Sequence, residues 1–401
     1  MAVPGLPLAV GLVRRLVRAA RSRRAEDCAS DFLAELRLAE ETAAAADDAR
    51  GDRAWRAPSA PSRPAAARPI RHLARLATLV GHDYWVDAFR FSPDGRMLAS
   101  GGGGSPSLFL WDVTEPSRPK RVAAVRRGGS VSVLAFAPTG DILATAVGDE
   151  SVRLWQVHDD RRPARVATFA AGSGLLHMID FSPDGRLLAT GTLDNRTVRL
   201  WDVTGLKRPV CVATMRGYAE DVRDSPGPSL AFSPDGAILA LAIWDERVAL
   251  WDLADPAHPA QLGSLPVPDV ASAMAFSPDG RGLVTAGATV TVWDVTEPTA
   301  PRARATMFRG VRKTTGVAFS RDGRMLAVGG ADPDVLLWDV ADLWHPVDSG
   351  LRIAATGGVA EVAFSPNGQV LATTNRRPGD YSIELWKLCR LGIAVPGSAL
   401  P

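Results

Sequence analysis

Apolar and polar residues alternate with a period of two along Val152-Arg-Leu-Trp-Gln-Val157, the mark of a strand that buries one face. The residues around this run predict three more strands. Val131 to Phe136 is rich in β-formers, Pro138-Thr-Gly140 turns the chain, and Ile142 to Ala146 follows as a second strand. Gly148-Asp149-Glu150 turns it again before the alternating third strand. A loop through Arg161-Arg-Pro163 then leads into a fourth, Arg165 to Phe169. A small sheet of this kind exposes both faces, so it needs neighbours to stack on.

The neighbours are present as repeats. A segment reading Phe-Ser-Pro-Asp-Gly-Arg-x-Leu-Ala begins at Phe91 and returns, with substitutions, at Phe136, Phe181, Phe232, Phe276, Phe319 and Phe364, at intervals of 43 to 51 residues. In the turn, Pro fixes φ, Asp bonds the local backbone, and Gly takes the positive φ that other residues resist. A second mark follows each Phe by 17 to 22 residues: Trp111, Trp155, Trp201, Trp251, Trp293, Trp338 and Trp386. Trp111, Trp201, Trp293 and Trp338 precede Asp-Val, Trp251 precedes Asp-Leu, Trp155 precedes Gln156 and Trp386 precedes Lys387.

With a period near 40–45 residues and a Trp-Asp ending, residues 73–389 resemble the WD-repeat (WD40) β-propeller family, in its bacterial multi-repeat type. TolB-type propellers share the Ser-Pro-Asp-Gly turn without the regular Leu-Trp-Asp-Val ending, and stand as the weaker alternative. The resemblance implies an all-β, seven-bladed propeller of four-stranded antiparallel blades, a closed ring of sheets. Leu73 to Leu79 looks like a fourth strand, whereas the last unit stops at its third, Ser382 to Leu388. The N-terminal strand is therefore expected to complete the last blade. WD repeats often carry a buried His, Ser/Thr, Asp and Trp set. Here Gly-His occurs only at Gly81-His82; Ser100, Thr145, Thr190, Thr285 and Thr373 occupy the hydroxyl position, and no blade has all four members. The seven Phe residues are expected in the core.

Residues 1–70 carry no repeat. Val13, Leu16, Val17 and Ala20 share one helical face beside Arg14, Arg15, Arg18 and Arg21, so residues 1–50 read as a helical or disordered extension. Residues 51–72 read as a Pro/Ala/Arg-rich linker and 390–401 as a tail. Leu6 to Val13 is too short to span a bilayer, and its arginines follow rather than precede it, against a secretory signal. Docking of residues 1–24 on an anionic membrane is the alternative to a helix that lies on the propeller or frays. Cys28, Cys211 and Cys389 suggest neither disulfides nor a thiolate metal site. The expected compartment is cytoplasmic. With 46 Lys+Arg against 44 Asp+Glu, the formal net charge of +2 gives no global argument for nucleic acid.

The chemistry inventory yields no catalytic, cofactor or metal residue. No lysine follows a glycine, there is no His-Glu-x-x-His or Gly-x-Ser-x-Gly, and the glycine run Gly101 to Gly104 opens no helix and reads as a permissive turn. No acidic or histidine cluster is evident at channel positions, so an enzyme or small-ligand propeller working through the central channel is the second reading. The first is a monomeric scaffold or adaptor that binds a protein or peptide, acidic in character, through loops on one face. Those loops hold His82, Tyr84, Trp85, Arg126, Arg127, Arg196, Tyr218, Trp244, Arg309, Arg312, Lys313, Arg376, Arg377 and Tyr381. Aromatic and Arg residues are common interface anchors. The resemblance also implies that His82 is structural. Of 11 tryptophans, seven close third strands, leaving Trp55, Trp85, Trp244 and Trp344 unexplained by the repeat.

Overall fold

A computed structural model describes residues 70–390, apart from 105–106, 126–128, 149, 159–160, 173, 193–196, 217–228, 244–246, 269–270, 310–313, 333, 355–357, 360, 376 and 378. The helical extension, nearly all of the linker, and all of the tail beyond Arg390 lie outside the described residues. The described chain forms strands β1 (Ile70–Leu79) to β28 (Ile383–Arg390), arranged as seven four-stranded sheets. Six sheets are consecutive meanders; the first joins β2 (Val86–Phe91), β3 (Met97–Gly102), β4 (Leu108–Asp112) and β5 (Lys120–Val125).

The seventh sheet closes the ring as the sequence predicts. It takes β26 (Val362–Phe364), β27 (Val370–Thr374) and β28 from the C-terminal side and β1 as its fourth strand. β1 runs antiparallel to β28, pairing Leu73 with Leu388 and Leu79 with Ile383. It begins at Ile70, ahead of the Leu73 read from the sequence.

The core lies between the sheets. Seven apolar clusters each join two neighbouring blades, and the one across the closure combines Leu79, Val370, Ile383 and Leu385 with Phe89, Phe109 and Trp111. Of the repeat phenylalanines, Phe181, Phe232 and Phe276 are buried, but Phe91, Phe136, Phe319 and Phe364 are only half-buried. This corrects the expectation that all seven are core. Each Phe ends its first strand at the turn, and in four of the blades solvent reaches it there. The Leu that pairs with it, on a strand covered on both faces, is 0% exposed in every blade: Leu98, Leu143, Leu188, Leu239, Leu283, Leu326 and Leu371.

The repeated turn works as its composition dictates, and its Ser adds a bond not anticipated. Gly95 sits at φ +73°, Asp94 Oδ1 accepts from the Arg96 amide at 3.0 Å, and Ser92 Oγ accepts from the Met97 amide at 2.9 Å. The Pro has a second role beyond fixing φ. A Cβ built on Gly95 would lie 3.4 Å from Cδ of Pro366, and Gly140, Gly185, Gly236, Gly280 and Gly323 face Pro93, Pro138, Pro183, Pro234 and Pro278 in the same way. Each turn thus packs on the next around the ring. In the sixth unit Arg321 replaces Pro, and Gly368 accordingly meets nothing within 4 Å.

In five blades the Trp of the third strand has a polar role as well as an apolar one. Trp111, Trp155, Trp201, Trp293 and Trp386 donate Nε1–H to Ser100, Thr145, Thr190, Thr285 and Thr373 at 2.9–3.2 Å. In the fourth blade Leu241 stands at the acceptor position, and the buried Trp251 Nε1 has no partner. A buried donor without an acceptor costs stability. Trp201→Phe, which breaks a made bond and orphans Thr190, is therefore expected to lower stability by about 1–2 kcal/mol more than Trp251→Phe, which removes an unmade one. Urea midpoints of the two variants check this, and equal losses would contradict it. The Asp after Trp caps the following loop: Asp112 Oδ1 accepts from the Thr114 amide at 2.9 Å and its hydroxyl at 2.6 Å, which holds the carboxyl below its usual range.

Candidate protein-interaction face

Antiparallel meanders put the loops entering each first strand, and those joining second to third strands, at the same end of the ring. Three of the predicted residues meet there at the closure. Tyr84 and Trp85 precede β2, while Tyr381 lies between β27 and β28, so only the ring closure brings them together. Ring centroids are 5.9 Å apart for Tyr84 and Tyr381, 6.2 Å for Trp85 and Tyr381, and 6.5 Å for Tyr84 and Trp85. No two rings are parallel; they are mutually inclined by 34° to 62°. Tyr84 is 53% exposed, and Trp85 and Tyr381 are half-buried.

The glycine run explains how these side chains are seated. A Cβ at Gly102 would fall 2.1 Å from the Trp85 carbonyl oxygen, and one at Gly103 would fall 2.7 Å from Tyr84 Cδ1. Gly104 takes φ +101°. The permissive turn read from the sequence is thus also the space that the aromatic loop packs into.

The other predicted face residues divide. His82 is buried, its Nε2 is 2.8 Å from Ser100 Oγ, and burial pushes its pKa down to about 4 against the opposing charge of Asp83. It belongs to a His82, Ser100, Trp111 chain inside the first blade and leaves the partner face, which corrects its place there and agrees with the structural role implied by resemblance. Arg377 is exposed in the β27–β28 loop, and its backbone carbonyl accepts from the Asp380 amide at 2.9 Å. Arg309 ends β21 (Arg302–Arg309), paired with Thr289. Arg126, Arg127, Arg196, Tyr218, Trp244, Arg312, Lys313 and Arg376 lie outside the described residues. Trp344, one of the tryptophans outside the repeat, packs against the cluster between the fifth and sixth blades with the Arg304 guanidinium 5.6 Å from its ring.

The channel is more polar than the sequence suggested. First strands of all seven blades enclose a cavity of about 430 Å³ whose lining includes Asp87, Arg90, His177, Asp180 and Glu361. Arg90 donates to Glu361 Oε1 and, at 2.8 Å, to the Phe89 carbonyl, while Glu361 Oε2 accepts from the Phe89 amide at 2.7 Å. Burial raises the Asp180 carboxyl to about 6, with Arg90 and the Phe181 amide opposing. These charges escape a period-two reading because a bulge between Val86 and Ala88, and another between Leu176 and Met178, shift the parity of the strand. Asp87 with Arg90, and His177 with Asp180, then reach the same channel although three residues apart. No group of three or more His, Cys, Asp or Glu among the described residues is placed to hold a metal ion. No helix among them is long and apolar enough to cross a membrane.

Comparison with known proteins accords with this architecture. The chain is 26% identical over 193 residues to the Periodic tryptophan protein 2 homolog of Schizosaccharomyces pombe, covering 43% of this chain and 21% of that protein. It is 24% identical over 289 residues to Periodic tryptophan protein 2 of Arabidopsis thaliana, covering 65% and 30%. With the Small ribosomal subunit protein RACK1 of Caenorhabditis elegans it shares 32% identity over 121 residues, covering 28% and 36%. In each case the match spans well under half of the relative's length. All three relatives are eukaryotic and give no support to the bacterial type of the resemblance. The family described as WD domain, G-beta repeat (WD40) matches residues 73–112, 123–156, 165–202 and 308–339. The chain thus carries WD40 repeats, matched in four places, within a ring of seven four-stranded sheets closed by β1.

Proposed function

We propose that the propeller is a non-enzymatic protein-interaction scaffold or adaptor, binding a protein or peptide through the face that carries the closure-seam loops. The observation that carries this reading is the Tyr84, Trp85 and Tyr381 cluster, a set of large rings gathered at the surface with Tyr84 53% exposed. Exposed aromatics of this kind lose little side-chain entropy on binding and bury much apolar area when covered. On this reading the ring acts as a monomer in the cytoplasm, with residues 1–50 as an extension, 51–72 as its linker and 390–401 as a tail.

Affinity capture from cell extract with wild type and a Tyr84→Ala/Trp85→Ala/Tyr381→Ala variant tests the face. The expected outcome is loss of specific partners by the variant at unchanged melting temperature; equal recovery of every partner rejects the face. The charged channel supports the second reading, a small-ligand site. A thermal-shift screen of small charged compounds against wild type and Asp180→Asn addresses it, and the reading requires a stabilising compound whose effect the variant loses.

A further inference from the structure

The charges around the aromatic cluster differ in sign from those of the loop arginines. Asp83 precedes Tyr84 and is exposed. Asp380 precedes Tyr381 and is fixed: its Oδ1 accepts from Ser382 Oγ at 2.6 Å and its Oδ2 from Asn375 Nδ2 at 3.3 Å. Asp87, exposed, follows Trp85 by two residues and leads into the channel. In the two loops that meet here, 80–85 and 375–382, Asp83 and Asp380 adjoin the rings in sequence, whereas Arg377 stands four residues before Tyr381 and Arg376 lies outside the described residues. A triangle of π-rings edged with carboxylates offers the negative faces of its rings together with one anchored acid, Asp380, and the exposed Asp83. An anionic group would meet repulsion from both.

We propose that the closure seam recognises a cationic side chain, a Lys or Arg carried on an extended segment of a partner protein, rather than an acidic one. This rests on the interaction-face reading and names the chemistry of its partner. The ammonium or guanidinium lies against Tyr84, Trp85 and Tyr381, and Asp83 and Asp380 supply the counter-charge. Ring position matters because the attraction falls off beyond about 6 Å from the centroid. Gly103 sets that position for Tyr84 by leaving room behind its ring.

The test uses the full chain and three ten-residue peptides of alternating glycine and, respectively, lysine, arginine or glutamate, followed by tryptophan fluorescence and calorimetry. The lysine or arginine peptide is expected to bind, with affinity falling as salt rises, and the glutamate peptide to bind at least tenfold more weakly. Tyr84→Ala and Tyr381→Ala are each expected to weaken the basic peptide by about three- to tenfold, and Asp83→Asn by about threefold. Gly103→Ala keeps every ring yet displaces Tyr84, so it should weaken binding too. Melting temperatures within about 2 °C of wild type for Tyr84→Ala and Asp83→Asn keep folding out of the result. Three outcomes overturn the proposal: no basic peptide binds, the acidic peptide binds as well or better, or the aromatic variants leave the basic peptide unaffected. If the acidic peptide binds and the triple alanine variant still loses partners in capture, the cation reading fails and the interaction face stands. If capture is unaffected by the triple variant, the face itself fails.

Discussion

Removing Ile70–Leu79 is expected to abolish the cooperative propeller rather than merely loosen one blade. β1 is the fourth strand of the last sheet, and it alone among the strands comes from the far end of the chain. Its side chains reach both interfaces of that blade. Leu79 is buried in the cluster shared with the first blade and Leu76 packs on it, while Leu73 packs on the cluster shared with the sixth. Deletion therefore strips apolar cover from two of the seven inter-blade clusters and leaves β28 with an unpaired edge. Open edges of this length pair with other chains. The deleted protein should show either no cooperative melt or a midpoint lowered by on the order of 10 °C or more, together with larger species on gel filtration. A synthetic peptide covering residues 68–82 should restore part of the loss by refilling the strand. Arg75→Ala is the comparison: it removes the exposed partner of the buried Glu384 carboxylate, 3.2 Å away, but leaves Leu73, Leu76 and Leu79 in place, so it should lose less than the deletion. A deletion variant that melts cooperatively at the wild-type temperature would show that closure by β1 contributes little.

That closure was legible in the sequence for a definite reason. A fourth-strand pattern stood at Leu73 to Leu79 with no first three strands before it, and the last unit lacked a fourth. The blade count and the turns were legible on the same ground, since they rest on Gly, Pro and Trp at fixed offsets. Closure in turn places Tyr381 beside Tyr84, a meeting of rings that the sequence reading, which had both only among the loop residues of one face, did not draw. What the pattern hid was parity and depth. The bulges that open the first strands carry Asp87 and His177 into the channel, and a strand with strict period two would not put them there beside Arg90 and Asp180. Depth was misread at the turn phenylalanines because the size of a side chain says nothing of where along the blade it lies. His82 was gathered with its loop neighbours by position, yet its ring turns inward to Ser100.

The depth of the motif leucines gives the second large expected effect. Leu188 is 0% exposed, lies in register between Phe181 and Trp201 across the second strand of its blade, and belongs to the cluster shared with the preceding blade. Its neighbour Leu187 points to the other side and is half-buried. The two positions therefore hold the same side chain on the same strand and differ in environment alone. Leu188→Ala removes the transfer free energy of the buried atoms and leaves a cavity that the rigid strands on both sides cannot fill, a cost of about 2–5 kcal/mol. Leu187→Ala should cost about 1 kcal/mol, since water replaces much of what is removed. Urea denaturation separates the two cleanly, and equal midpoints would mean that the inter-blade packing is loose enough to collapse around the loss. Because Leu98 and Leu239 sit in different clusters, with no shared neighbours, Leu98→Ala and Leu239→Ala should add when combined. A double-variant loss larger than the sum by 1 kcal/mol or more would show that strain passes around the ring from blade to blade, as the chain of Pro-on-Gly turn contacts allows.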